Sequence, residues 1–154
     1  MTDSAMSHAW PYVVHQDPFH SVVRQQMLSW LKSCDAEHSS CLPQFDRGTP
    51  LPTRVLDLNM LPSCNNINLN GDAWRELFRN RKIQLVETHA GQCGQYVALS
   101  YCWGSSLPCK TTTENLSVHT RGLDIDDLPN TLRDSIMVTR LLGVRYIWID
   151  CLCM

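Results

Sequence analysis

The chain has 154 residues, 13 Lys and Arg against 15 Asp and Glu, and a formal charge of −2. That length suits one ordinary domain, able to bury roughly 70% of its unfolded surface. The charge leaves no cationic surplus to displace counterions from a phosphate backbone, which argues against nucleic acid as a partner. No apolar run approaches the roughly 18 residues needed to span a bilayer. The N-terminus also lacks a basic start followed by an apolar core. A cytoplasmic location with reduced thiols is therefore expected for the eight cysteines.

In chain order, the first strong pattern is "DPFHSVVRQQMLSWLKSC". Phe19, Val22, Val23, Met27, Trp30 and Leu31 fall on one helical face, with Asp17 expected as N-cap and Pro18 in the first turn. Residues 34–52 turn to Ser, Asp, Pro and Gly and read as a linker, so residues 1–52 form an N-terminal helical segment and residues 53–154 the main domain. Cys34, His38 and Cys41 stand at C-x3-H-x2-C, near metal-ligand spacing. Zinc there needs a fourth ligand, Cys64 or His20; plain thiols at a helix end are the competing reading.

"TRVLDL" reads as a strand and "AWRELFRNRK" as a short helix. "KIQLVET" and "QYVALSYCW", separated by "HAGQCGQ" with its two glycines, predict an antiparallel β-hairpin element. Residues 104–127 read as a loop. In "DLPNTLRDSIMVTRLLG", Pro129 opens a helix, Thr131 and Asp134 have capping-box spacing, Leu132, Ile136, Met137 and Leu141 form its stripe, and Gly143 ends it. "VRYIWID" follows as a strand apolar on both faces, which predicts an α/β fold with a parallel βαβ unit.

In parallel sheets ligands bind beyond the carboxyl ends of the strands. Ser100, Tyr101, Trp103 and Gly104 would then share a rim with Asp150, Cys151 and Cys153. Asp150 reads either as a ligand-binding or acid–base carboxylate, or as a structural partner of Arg133, Arg140 or Arg145. Trp103 and Trp148 read more readily as packing residues than as stacking platforms. Arg140 and Arg145 read as anion ligands or as solvated helix-end charges. Cys151 and Cys153, on opposite faces of a strand, read as core. No histidine lies near Cys109, Cys151 or Cys153 in sequence, so a thiol nucleophile has no visible base.

"YVALSYCWG", "LPNTLRDSIMVTRLLGVRYIWIDCLCM" and the upstream "LPTRVLDL" resemble the heterokaryon incompatibility (HET) domain of filamentous fungi. That family runs as aromatic-x-Ala-Leu-Ser-Tyr-x-Trp-Gly, a variable loop, Leu-Pro-x-Thr and a helix with an early Asp. It then reaches Arg-Tyr-hydrophobic-Trp-hydrophobic-Asp-x-Leu-Cys. The match covers residues 96–104 and 128–153, including Pro129, Asp134, Arg140, Gly143, Arg145 and Trp148. The resemblance implies fungal self/non-self recognition that ends in programmed cell death, with other incompatibility or signalling proteins, or a second copy, as partners.

It also implies a distant likeness to TIR domains, hence a flavodoxin-like parallel sheet and, by that analogy, NAD as a cofactor or substrate. A TIR-like NAD glycohydrolase needs a catalytic acid, and the nearest glutamates, Glu87 and Glu114, stand at no motif position. Family members continue beyond Leu-Cys, so a domain cut at its C-terminus, and more readily inactive than active as an enzyme, is the expectation.

Overall fold

The computed structural model describes residues 17–38, 49–62, 71–103 and 109–154. Its first helix, α1, is Ser21–Glu37, three residues later than Pro18 suggests. The Asp17 carboxylate instead accepts from the Phe19 N–H at 3.1 Å, closing an Asx turn ahead of the helix. His20 takes the N-cap, its Nδ1 accepting from the Val22 N–H. No residue of α1 is buried, and Val22, Trp30 and Leu31 are exposed. Only Phe19, just before the helix, is fully enclosed, with the Arg75 guanidinium 5.1 Å from its ring centre.

The strands are β1 (Arg54–Asp57), β2 (Lys82–Glu87), β3 (Tyr96–Ala98), β4 (Leu123–Asp124) and β5 (Tyr146–Trp148), in sheet order β3-β5-β1-β2-β4. Helix α2 (Gly71–Phe78) precedes β2, and α3 (Leu116–Arg121) precedes β4. A 3-10 turn (Ile125–Asp127), α4 (Asn130–Leu141) and α5 (Asp150–Cys153) complete the order. The architecture is α/β, as the alternation of strands with helices implies. Central β1 carries consecutive buried residues, Val55 and Leu56, because it is covered on both faces, whereas β2 alternates, burying Ile83 and Leu85.

The sheet is mixed. Only β3 and β5 run parallel, in the register Tyr96↔Tyr146, Val97↔Ile147, Ala98↔Trp148; β5, β1, β2 and β4 pair antiparallel in succession. The expected βαβ unit is therefore present as β3–α4–β5, confined to one edge. The hairpin of β2 with β3 does not form. The chain does turn at His89–Gln92, with Gly91 at φ +82°, but its return passes along residues 49–51. There Leu51 N–H donates to Gln92 O and Gly94 N–H to Thr49 O, both at 2.9 Å. This carries the chain past β1 to the far side of β5, and β2 takes β1 as its antiparallel partner instead, with Arg54 opposite Glu87.

Helix α4 buries Leu132, Ile136, Met137, Thr139 and Leu141 against the sheet. Gly143, at φ +83°, ends the helical segment as its sequence position implies. Its start differs: Pro129 occupies the N-cap and no side-chain cap forms, so Thr131 and Asp134 do not make the capping box. Residues 109–127, read as loop, contain α3, β4 and the 3-10 turn. The apolar run after β5 also departs from its reading as strand. It breaks at Ile149 into α5, where Cys153 N–H donates to Ile149 O at 2.8 Å and Met154 N–H to Asp150 O at 3.0 Å. A carboxylate at the first helical position favours that switch by facing the positive end of the peptide dipoles.

Candidate functional site

Because β3 and β5 run the same way, their carboxyl ends meet at one border of the sheet. The ladder extends one residue beyond β3, with Leu99 N–H donating to Trp148 O at 3.0 Å, and then the chains diverge. Ser100 is exposed, while Tyr101 and Trp103 lean back toward the start of α5. The Trp103 indole N–H donates to Asp150 Oδ2 at 2.7 Å, and Asp150 Oδ1 accepts from the Cys151 N–H at 2.7 Å. The Tyr101 hydroxyl donates to Cys151 Sγ at 3.1 Å. Gly104 lies outside the described residues.

Two residues that sequence reasoning missed complete this border. Thr111 N–H donates to Cys151 O at 2.9 Å and its Oγ1 donates to Leu152 O at 2.7 Å. A hydroxyl has a single proton, so the 2.8 Å contact between Thr111 Oγ1 and His119 Nδ1 requires His119 to donate, which fixes the Nδ1–H tautomer. Leu116 and His119, three apart, present one face of α3 to the core; that spacing was the signal available in the sequence.

Electrostatically the border holds its protons. Burial first, then the hydrogen bond with Cys151, raises the Tyr101 hydroxyl far above its ordinary value. Burial raises Cys109 and Cys151 and pushes Cys153 up to about 11. Cys151 and Cys153 are both buried, packed in a helical turn rather than on opposite faces of a strand. Burial likewise lowers the His119 imidazole, keeping it neutral. Thiolate, the nucleophilic form, is thus disfavoured at all three cysteines.

The arginines read as partners of Asp150 are committed elsewhere. Arg145 makes a bidentate pair with Asp57, Nε to Oδ1 at 3.0 Å and Nη2 to Oδ2 at 2.6 Å, and lies over the Tyr146 ring. Arg140 donates to the Leu61 and Pro62 carbonyls, tying α4 to the segment after β1. Arg133 donates to Asn130 Oδ1. Trp148 is half-buried against the core. Glu87 and Glu114 are exposed, and β1 separates β2, which carries Glu87, from β5.

Of the cysteine–histidine pattern, Cys34 and His38 stand on the last turn and C-cap of α1, while Cys41 and Cys64 lie outside the described residues. His20 sits at the opposite end of α1, about 20 Å from Cys34 at the rise of an α-helix, so it cannot be their fourth ligand. Among the described residues no three His, Cys, Asp or Glu side chains converge as a metal site. No described helix is long and apolar enough to cross a membrane.

Residues 96–154 match the family described as heterokaryon incompatibility protein (HET). No curated protein and no solved structure matches the chain. The matched stretch contains the parallel pair, α4, and the whole Trp103–Asp150 border with Thr111 and His119. Over residues 96–154 the chain is similar to the heterokaryon incompatibility (HET) domain.

Proposed function

We propose that this is a signalling and interaction module of fungal self/non-self recognition, triggering programmed cell death through contact with incompatibility or signalling proteins in the cytoplasm. The observation that carries the reading is the family match over the stretch that builds the β3–β5 border. The chemistry of that border supports contact over catalysis. The Asp150 carboxylate is occupied by Trp103 and Cys151, and the thiols are kept protonated by burial.

The test is inducible expression of the whole chain, and of a Trp103→Ala variant, in a filamentous fungus with viability counted after induction. Loss of viability with the parent chain and survival with Trp103→Ala, both accumulating equally, is the expected result. Survival in both cases would overturn the reading. Nicotinamide released from NAD by the purified chain, and abolished in Asp150→Asn, would replace contact with a glycohydrolase activity.

A further inference from the structure

Between α2, the 3-10 turn and α4 lies a cavity of about 120 Å³, well away in sequence from the β3 terminus. Phe78, Ile125 and Met137, all buried, form its apolar part. Arg75 and Arg79 from α2 and Arg133 from α4 supply three guanidinium groups, against one carboxylate, Asp126. The lining therefore carries an excess of two positive charges.

None of the three arginines is held in a buried ion pair. Arg75 meets Asp72 and Arg79 meets Glu76, each at 3.2 Å and each an exposed pair three residues apart on one helix. Such pairs contribute about 0–1 kcal/mol, so an incoming anion can recruit Arg79 at little cost, and Arg75 by giving up Asp72 while its guanidinium stays over the Phe19 ring. Arg133 bonds the neutral amide oxygen of Asn130 at 2.6 Å and is paired to no carboxylate among the described residues. Asp126 is engaged with the backbone, its Oδ2 accepting from the N–H of Asn80 at 2.8 Å. Asn80 stands at φ +54°, so Asp126 pins the left-handed residue that carries the chain from α2 into β2.

We infer that this cavity binds the phosphoryl group of a phosphate monoester, with Arg75, Arg79 and Arg133 around its oxygens. A monoester carries about −1.5 to −2 charges near neutral pH, which balances the lining. Guanidinium forks match phosphate oxygens with two parallel N–H donors, where a point-charge ammonium would not. The volume admits a phosphoryl group and leaves the rest of the ligand outside, whether that is a protein side chain or a small metabolite.

The experiment is an NMR titration of the whole chain with inorganic phosphate at fixed ionic strength, using chloride as the control anion. Saturable shifts at residues 75, 79, 126 and 133, with a midpoint of about 1 mM, are expected. Arg79→Gln, an exposed change that leaves the core intact, should weaken binding about tenfold, as should Arg133→Gln, while Arg121→Gln on α3 should leave it unchanged. Shifts that stay linear in phosphate, that chloride reproduces, or that survive both Arg79→Gln and Arg133→Gln would overturn the inference. Tighter binding of a phosphoserine peptide or of a sugar phosphate then tells which source the site prefers.

Discussion

Helices α1 and α4 both announce themselves by an apolar stripe and a defined start, yet they meet different fates. Helix α4 buries five residues between Leu132 and Leu141, whereas α1, although longer, buries none. Trp30 and Leu31, at the heart of the α1 stripe, are 59% and 46% exposed. Leu28 and Leu31 line a groove of about 630 Å³ alongside Tyr96, Val97 and Ala98 of β3. Arg24 Nε, the only buried side-chain nitrogen or oxygen without a hydrogen-bond partner among the described residues, also belongs to α1. Periodicity identifies which face of a helix is apolar; it does not say whether the sheet has room for that face. Here α1 meets the core through Phe19 at its foot and the half-buried Met27 midway, while Leu28 and Leu31 face an open groove.

The contrast can be broken in four ways, beginning with the largest effect. Ile136→Ala or Leu141→Ala should cost about 2–5 kcal/mol in denaturant unfolding, since each leaves a cavity in the enclosed core. A loss below about 1 kcal/mol would mean that α4 is as loosely seated as α1.

Asp57→Ala should cost about 1–2 kcal/mol by removing the bidentate partner of Arg145, a figure kept low because Arg145 is half-exposed. Burial of Asp57 opposes its ionisation, but the hydrogen bonds from Arg145 and Asn59, with the charges of Arg145 and Arg140, outweigh it and hold the carboxyl below its ordinary value. Its contribution is therefore complete above the unfolded value of about 3.9 and fades as pH falls through the lower folded one. Acid unfolding of Asp57→Ala should lack that component.

His119 works in a neighbouring window. Burial lowers its folded value, so the unfolded chain binds the proton more readily, and stability should decline as pH falls below about 6.5 toward the folded value. Melting temperatures of the parent chain should show that slope and those of His119→Gln should not; equal slopes would remove His119 from the account. The smallest effect belongs to α1. Trp30→Ala and Leu31→Ala should each change stability by less than about 0.5 kcal/mol, and a loss above about 2 kcal/mol would show that the stripe is covered after all.

How much of this was legible depended on what each signal encodes. The stripe of α4 and the stop at Gly143 could be read directly, because period and left-handed geometry are local properties. The parallel pairing of β3 with β5 followed from strand, helix, strand order. Partner choice for β2 was not legible: alternation along "KIQLVE" describes its faces, while pairing with β1 depends on where residues 92–94 find residues 49–51. The switch from β5 into α5 was hidden because a short apolar run fits either conformation. At the border, Trp103 and Asp150 could be placed together from topology, since both follow the ends of parallel neighbours. Thr111 and His119 could not, because their role rests on hydrogen bonds across a stretch whose Thr, Asn and Ser content imitates a loop.

One of those bonds gives access to motion at the border. The Thr111 amide is donated to Cys151 O, the first turn of α5, and the chain connecting them runs through α3, β4 and all of α4. Its hydrogen can exchange with solvent only when α5 lifts from residues 109–112 or when the whole sheet opens. If Thr111 exchanges faster than the amides of β1, the turn bearing Asp150, Cys151 and Cys153 detaches as a unit while the sheet stays closed, and a single amide signal reports how often the Trp103–Asp150 contact comes apart.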